Sequence, residues 1–224
     1  LSMTLEAGKH YALVGANGCG KTTVTRLLTG LYPVESGSIW VNGRDLREIN
    51  AEELRSLISV VYQDFARYNV SLRDNVFLGL EPAQDEQVFE RAGLGHLVDH
   101  LPRGLDTPLG KIAEDGVDIS GGEWQRIAIA RSLARSAALR ILDEPAAALD
   151  PVAESELYTS FESLTEGATT LLITHRLGAT KTADVILVLD GGHIVESGSH
   201  AELMQSGGLY AHMYASQRYW YETN

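Results

Sequence analysis

The chain has 224 residues, of which 44% are hydrophobic and 21% are charged, as expected for one large globular domain or a core with a smaller lobe. Its formal net charge of −12 argues against nucleic acid as a partner, although a local cluster of backbone N–H groups can still bind one nucleotide. Because Cys19 is the single cysteine, the chain cannot form an internal disulfide. The sequence contains no apolar run of about 18 residues, so it predicts no membrane-spanning helix.

Strands and helices alternate along the first 63 residues. Apolar runs or alternating apolar residues predict strands, and a polar cap before a helical period predicts a helix. The predicted order is a strand at LSMTL, a strand at GKHYALVG, a helix from about Thr22 to Leu28, a short strand at GSIWVNG, a helix at NAEELRSL capped by Asn50, and a buried strand at ISVVYQ.

The pattern becomes helical from Asp64 to about Arg135, and strands return after it. The helical stretches are SLRDNVFLG, DEQVFERAG and WQRIAIARSLARS. The later strands are LRILD, TTLLIT, ADVILVLD and HIVESG, with a helix at PVAESELYTSFESL whose Pro151 lies in its first turn. The Tyr-rich tail has the spacing of a packed terminal helix rather than of an aromatic binding surface.

This alternation predicts a mostly parallel sheet covered by helices. We expect one domain in which residues 1–63 and 136–224 form the α/β core and residues 64–135 form an inserted helical subdomain.

A glycine-rich loop follows the predicted strand GKHYALVG and opens the next helix. The stretch GANGCGKTT fits the spacing G-x-x-x-x-G-K-[ST] of a phosphate-binding loop, a match expected by chance in roughly 1% of chains this long. Lys21 is placed to reach the β- and γ-phosphates of a nucleotide, and the Thr22 hydroxyl to hold Mg²⁺. The predicted phosphate-binding residues are Gly15, Ala16, Asn17, Gly18, Cys19, Gly20, Lys21, Thr22 and Thr23.

Two acidic residues, Asp143 and Glu144, lie where the apolar strand LRILD ends. Ligands of open α/β sheets bind at the carboxyl ends of the strands. Asp143 is therefore a candidate ligand of Mg²⁺ through water, and Glu144 a candidate to orient and deprotonate an attacking water. The alternative is an acidic turn that only caps the strand, and a phosphate loop in the same chain makes that alternative less favourable.

Polar residues also end two other predicted strands of the core. His175 follows TTLLIT and Gln63 ends ISVVYQ, so both should reach the sheet edge where Asp143 lies. A lone His or Gln after a strand is usually structural, but two of them beside an acidic pair favour a catalytic site. We expect Gln63 to contact the metal and to act as a hinge. Arg140, inside an apolar strand, should be paired or reach the surface.

A second anion site is predicted in DISGGEWQRIAIAR. Ser120 is an N-cap, and the Gly121-Gly122 turn leaves backbone N–H groups free at a positive helix end.

Together these residues resemble the ATP-binding cassette (ABC) family, specifically the nucleotide-binding domain of an exporter. GANGCGKTT matches the Walker A loop, VYQD the Q-loop, ISGGEWQ the signature, RILDE the Walker B strand, AALD the D-loop and ITHR the H-loop, in the family's order and spacing. The resemblance covers nearly the whole chain. It implies an α/β fold of the P-loop NTPase (RecA-like) type, with a mostly parallel sheet core, an inserted α-helical subdomain and a small antiparallel β part.

The resemblance also implies roles for the site residues in hydrolysis of ATP to ADP and phosphate. Glu144, His175 and Gln63 would be catalytic, and Thr22, Gln63 and Asp143 would hold Mg²⁺.

Two such domains would pack head to tail around two ATP molecules, the second domain being either identical or different. The signature residues of one chain would bind the γ-phosphate held by the other, which gives the second anion site its purpose; they are Ser120, Gly121, Gly122 and Glu123. Asp150 of the D-loop would lie across that interface.

The chain departs from the family pattern at several positions. Glu123 replaces the usual Gln of the signature, and Ala146 and Ala147 stand where a hydroxyl residue is common. None of these changes removes a catalytic group. The aromatic that stacks on adenine in the family lies upstream of Leu1, and we expect Tyr11 to belong to the core.

The resemblance predicts a membrane-spanning partner, N-terminal to Leu1 or on another polypeptide. It places the domain at the cytoplasmic face of a membrane, such as a bacterial inner membrane. A soluble ABC ATPase of DNA repair, chromosome organisation or translation is the alternative, but the sequence shows none of the coiled-coil or zinc insertions typical of that class. A small-molecule P-loop kinase would leave the signature unexplained.

Overall fold

The computed structural model describes residues 1–80, 85–112, 115–147, 149–150, 153–155, 157–158 and 167–223. The chain divides into two compact units. The first comprises Leu1–Val60, Ala137–Glu144 and Gly167–Asn224, and the second Val61–Ser136 and Pro145–Glu166.

Within the described residues, eight strands form two sheets. Their bounds are β1 His10–Val14, β2 Trp40–Val41, β3 Arg44–Asp45, β4 Ile58–Val61, β5 Leu139–Asp143, β6 Thr169–Ile173, β7 Val185–Asp190 and β8 His193–Gly198. The larger sheet has the order β4-β5-β6-β1-β7-β8. Strand β1 pairs in parallel with β6 and β7, β5 pairs in parallel with β6, and β8 closes the edge antiparallel to β7. The pair β2–β3 is the small antiparallel part, so the predicted fold class is confirmed.

The α-helices of the described residues flank these strands or lie between β4 and β5 in the chain. Their bounds are α1 Lys21–Leu28, α2 Ala51–Leu57, α3 Leu72–Phe77, α4 Gln87–Arg91, α5 Gly95–His100, α6 Gly121–Leu133, α7 His200–Ser206 and α8 Leu209–Thr223. Asn50 caps α2 as predicted, because its side chain accepts hydrogen bonds from the backbone N–H groups of Glu52 and Glu53.

The structure differs from the predicted order in several details, and neither β3 nor α7 was predicted. LSMTL forms no strand: Met3 and Leu5 pack against the core, but apolar alternation alone supplies no backbone partner. Helix α5 was not predicted because glycines at 93 and 95 weaken the helical signal, although Leu94, Leu97 and Leu101 are buried at helical spacing. The predicted helix at PVAESELYTSFESL lies mostly outside the described residues, of which 153–155 and 157–158 are helical.

The core of the first unit follows from the alternation of side chains along its strands. On β1, Tyr11 and Leu13 point into a cluster with α1 and α2, whereas Ala12 and Val14 point into a cluster with α7 and α8. Both faces of the sheet are therefore covered, which explains the nearly continuous apolar strands. Tyr11 is a core residue as expected, and Arg140 is buried within β5 and does not reach the surface.

The predicted terminal helix is confirmed as α8, and it packs on the rest of the first unit through Tyr210. Tyr210 is fully buried, with Met213 and Tyr214 beside it. Glu196 of β8 caps the start of the helix, because its carboxylate accepts from the backbone N–H groups of Leu209 and Tyr210.

The second unit has an apolar core of its own. It is built from α3, α4, α5 and α6 and includes Phe77, Phe89 and Trp124. Phe77 and Phe89 meet edge to face with ring centroids 5.7 Å apart, an arrangement that favours aromatic pairs.

Candidate nucleotide-binding site

The glycine-rich loop leaves β1 and enters α1 as the sequence predicts. A Cβ at Gly15 would lie 2.2 Å from the Leu189 carbonyl oxygen and 2.8 Å from the Cys19 sulfur, so only glycine fits there. Gly18 and Gly20 have φ of +80° and +111°, and Gly20 is the N-cap of α1. The chain can therefore turn tightly and direct the N–H groups of the first turn of α1 toward an anion.

Lys21 places its ammonium group over this loop. The side chain is buried, and Nζ donates hydrogen bonds to the carbonyl oxygens of Gly15 at 2.8 Å and Ala16 at 3.1 Å. The Cys19 sulfur lies 3.8 Å from the same nitrogen. A buried positive charge surrounded by neutral acceptors favours an anionic ligand at the loop.

Asp143 lies at the end of β5 and is buried. Its Oδ2 accepts from the Thr25 hydroxyl on α1 at 3.4 Å. Burial raises the pKa of the Asp143 carboxyl and the neighbouring charge of Glu144 raises it further, whereas the Thr25 hydroxyl and the charges of Lys21 and Arg26 lower it. A cation beside Asp143 would favour its ionised form in the same way.

Glu144 and His175 meet at this edge of the sheet. Oε1 of Glu144 lies 2.9 Å from Nδ1 of His175, and the Glu144 backbone N–H donates to the carbonyl of Ile173 on β6. Glu144 has a φ of +51°, a left-handed conformation that is uncommon outside glycine and is found at functional sites. A carboxylate can only accept, so this contact requires a proton on Nδ1 and leaves Nε2 of His175 for other partners.

The side chains near the loop suit Mg²⁺ bound together with a phosphate. Thr22 exposes its hydroxyl in the first turn of α1, and Asp143 supplies one carboxylate. Within the described part of the chain, no group of three or more His, Cys, Asp and Glu side chains is arranged to hold a metal by itself. Mg²⁺ usually binds one or two protein oxygens plus phosphates and water rather than an all-protein cage, so this donor set fits it.

A pocket of about 490 Å³ adjoins the loop in the first unit. The phosphate loop contributes Gly15, Ala16 and Asn17 to its lining, and His175 lines it as well. Helix α8 contributes His212, Met213, Ser216 and Gln217. The tail of the chain therefore borders the site, which the sequence did not predict.

The second unit contains the predicted site residues Gln63, Ser120, Gly121, Gly122, Glu123 and Asp150. Gln63 is exposed, two residues beyond the end of β4. Ser120 is the N-cap of α6, and it forms a capping box with Glu123: its hydroxyl accepts from the Glu123 N–H, and the Glu123 carboxylate accepts from the Ser120 N–H. Asp150 accepts from the Ala153 N–H at 3.0 Å, as an N-cap does.

Two residues near the site were missed at the level of sequence. Thr25 lies one helical turn after Lys21, and this spacing puts it on the face of α1 that meets Asp143. Gln217 contacts the backbone of Leu177, which lies 40 residues earlier in the chain. No local sequence pattern predicts a contact between such distant residues.

Comparison with known proteins identifies the family. A family model described as ABC transporter matches residues 1–147. The chain belongs to the ABC transporter family. Within that family it is the nucleotide-binding domain, which binds and hydrolyses ATP.

Its relatives are transport proteins. The chain is 39% identical to the subtilin transport ATP-binding protein of Bacillus subtilis, over 98% of this chain and 36% of the relative. It is 43% identical to the ATP-dependent lipid A-core flippase of Burkholderia pseudomallei, over 97% of this chain and 36% of the relative. The fold matches a bacterial Atm1-family ABC exporter solved with ATP bound, with a TM-score of 0.88 and 36% identity, over 97% of this chain and 38% of the exporter chain.

The chain thus spans about a third of the length of the curated relatives that it matches. No helix within the described ranges is both long and apolar enough to cross a membrane.

Proposed function

We propose that this domain powers an ABC exporter by hydrolysing ATP at sites shared between two domains. The observation that carries the proposal is the joint presence, at one sheet edge, of the Lys21 loop and the Glu144–His175 pair. The loop binds the phosphates and the pair performs hydrolysis.

Binding of ATP rests on the loop from Gly15 to Thr23. Backbone N–H groups at the start of α1 and the Lys21 ammonium hold the β- and γ-phosphates. Thr22, Asp143 and Gln63 would hold Mg²⁺ through their side-chain oxygens. When bound, Mg²⁺ neutralises charge on the phosphate oxygens.

Hydrolysis rests on Glu144 and His175. The Glu144 carboxylate orients a water for attack on the γ-phosphorus and accepts its proton. The side chain of Glu144 is 17% exposed and that of His175 is 49% exposed, so both can reach a ligand while remaining in contact. With Nδ1 directed to Glu144, the imidazole presents Nε2 to the phosphate.

The signature completes a site on a second domain. Helix α6 begins at Ser120 with the small residues Gly121 and Gly122, so a partner's phosphate can approach its N-terminus closely. In this arrangement Asp150 lies at the interface between the domains. The partner is either a second copy or a related domain.

The relatives favour a transporter over the soluble ABC ATPases. A membrane-spanning part, in the same polypeptide or in another, places this domain at the cytoplasmic face of a membrane. The similarity to a bacterial subtilin transport protein and a bacterial lipid A-core flippase favours a bacterial inner membrane.

The proposal is tested by replacing Lys21. Lys21→Ala in the full-length protein should reduce ATP hydrolysis to the background rate and weaken ATP binding, because the loop loses its only side-chain cation. Lys9→Ala, which removes an exposed lysine paired with Glu6, is the control and should keep the normal rate. Phosphate release and nucleotide binding are measured. Normal hydrolysis by the Lys21 variant would exclude this loop as the ATP site.

A thiol reagent offers an independent test of the loop. Cys19 is half-buried between glycines 18 and 20, and its sulfur lies near Lys21 Nζ. We expect a maleimide to react with Cys19 and to block ATP binding sterically, and MgATP to slow the labelling, which mass spectrometry measures. The Cys19→Ser variant should hydrolyse ATP, and the maleimide should not inhibit it. Equal labelling rates with and without MgATP would contradict a nucleotide over this loop.

A further inference from the structure

The backbone that follows β6 is held by a side chain of α8. Gln217 of α8 uses both ends of its amide: Oε1 accepts from the Leu177 N–H at 2.9 Å, and Nε2 donates to the carbonyl oxygen of His175. These two bonds fix the orientation of the peptide groups on either side of Arg176.

Leu177 is held from a second direction by the same helix. Its carbonyl accepts from the Thr180 hydroxyl at 2.8 Å, and that hydroxyl is 2.7 Å from the hydroxyl of Tyr210 on α8. Tyr210 and Gln217 are seven residues apart, so they lie on one face of the helix. The Leu177 side chain is itself buried in the cluster that contains Tyr210. Helix α8 therefore contacts this segment at two points.

The helix is itself anchored well enough to act as a support. Glu196 caps its first turn, and Tyr210 also hydrogen-bonds to Nδ1 of His200 at 2.8 Å. Lys181, just beyond the segment, lies over the Tyr214 ring at 5.5 Å. A displacement of α8 would thus move the backbone at residues 175–177.

The backbone that Gln217 holds carries the His175 ring. It reaches Glu144 at 2.9 Å and borders the pocket that the phosphate loop lines. The imidazole is joined through Cβ to the backbone that Gln217 holds, and it is half exposed, so neighbouring side chains alone do not fix it. When its backbone is fixed, the ring can adopt only a few rotamers, and the contact with Glu144 selects one of them.

We propose that Gln217 is a positioning residue for ATP hydrolysis: by binding the backbone at His175 and Leu177, it holds the His175 imidazole against Glu144 and beside the phosphate loop. The inference rests on the proposed function of Glu144 and His175. It assigns to α8 a part in turnover that acts through His175, in addition to its part in packing.

The experiment compares variants of Gln217 in the purified full-length protein. Gln217→Met keeps the length of the side chain and removes both bonds, and kcat should fall about 10-fold while the KM for ATP and the melting temperature stay near normal, since a small misplacement of a catalytic group acts mainly on kcat. Gln217→Glu keeps the acceptor for Leu177 but not the donor to His175, and it should be as slow. Gln205→Met, on the exposed side of α7, is the matched control and should be normal.

The decisive comparison uses His175→Ala as a background. If Gln217 acts through His175, adding Gln217→Met to His175→Ala should cause no further loss of phosphate release. Hydrogen exchange of the peptide covering residues 174–180 should accelerate in Gln217→Met, which reports the loosened backbone without relying on turnover.

The results that would contradict the positioning role differ from the result that would contradict the proposed function. A normal kcat in Gln217→Met, restored turnover in Gln217→Glu, an equal loss in the His175→Ala background, or unchanged hydrogen exchange overturns the positioning role. Normal turnover in His175→Ala itself overturns the proposed function of His175, and this result is read without any Gln217 variant.

Discussion

Glu144→Gln is expected to keep ATP binding and to lower the turnover by a factor on the order of 10² or more, because the amide cannot accept a proton from water. The substitution preserves the size of the side chain and its hydrogen bond to Nδ1 of His175, so the geometry of the site should persist. Nucleotide binding and steady-state phosphate release of the full-length protein give the two quantities.

The assignment of the base to Glu144 rather than Asp143 follows from exposure. Asp143 is 5% exposed and accepts from Thr25, whereas the side chain of Glu144 is 17% exposed and its other neighbour is the half-exposed His175. A general base must contact the attacking water and transfer its proton, so its side chain must be accessible to the bound nucleotide. Asp143 is better placed for a fixed charge that interacts with a cation.

The matched control is Glu48→Gln, which makes the same chemical change at an exposed glutamate of the first unit. It should leave turnover unchanged. ATP should also hold two Glu144→Gln domains together for longer, which size exclusion of the nucleotide-bound protein reports. Hydrolysis at the normal rate by Glu144→Gln would show that Glu144 is not the base.

The sequence predicted those parts of the site that are encoded locally. The phosphate loop needs a strand, a glycine turn and a helix in succession, and the sequence of residues 10–28 contains the signals for all three. The strands β5 and β6 are apolar runs that end in functional residues, so Asp143 and His175 could be placed at one edge from topology alone.

Contacts between distant segments could not be predicted in this way. Thr25 and Asp143 are 118 positions apart, and Gln217 and Leu177 are 40 apart. Such pairs depend on how helices pack on the sheet, which periodicity does not determine. The left-handed conformation of Glu144 is also imposed from outside, since an isolated glutamate disfavours it.

At the signature, the sequence identified the residues but not the structural role of one of them. Glu123 was identified only as a departure from the family's usual Gln, but in the structure it closes the capping box with Ser120. A glutamate at the third position of a helix is a local stabilising feature that the spacing S-x-x-E encodes. The departure therefore has a structural reason, which also affects how Ser120 variants must be interpreted.

Ser120→Arg is expected to leave ATP binding by its own loop nearly unchanged and to abolish ATP-driven pairing and hydrolysis. A long cation at the start of α6 occupies the space that a partner's γ-phosphate needs. The change also removes the N-cap hydroxyl, which by itself costs about 1 kcal/mol of helix stability.

Ser120→Ala separates these two effects. It loses the hydroxyl that accepts from the Glu123 N–H but leaves the helix start open. Ser120→Ala should therefore share the loss of stability, seen as a lower melting temperature, while keeping most of the ATP-driven pairing. If the alanine variant pairs as poorly as the arginine variant, the cap and not steric access accounts for the defect.

A mixture of two inactive variants tests whether the site is shared between copies. Co-expressed full-length Ser120→Arg and Lys21→Ala chains form a mixed dimer in which one composite site combines both changes and the other has an unchanged Lys21 loop facing an unchanged Ser120. With random pairing, about half of the dimers are mixed and each has one intact site, so the mixture should regain up to about a quarter of the normal rate. Separately purified homodimers mixed without exchange are the control and should stay inactive. A co-expressed mixture no more active than either variant alone would contradict a head-to-tail pair of these domains, because a site contained within one chain cannot be repaired by its neighbour.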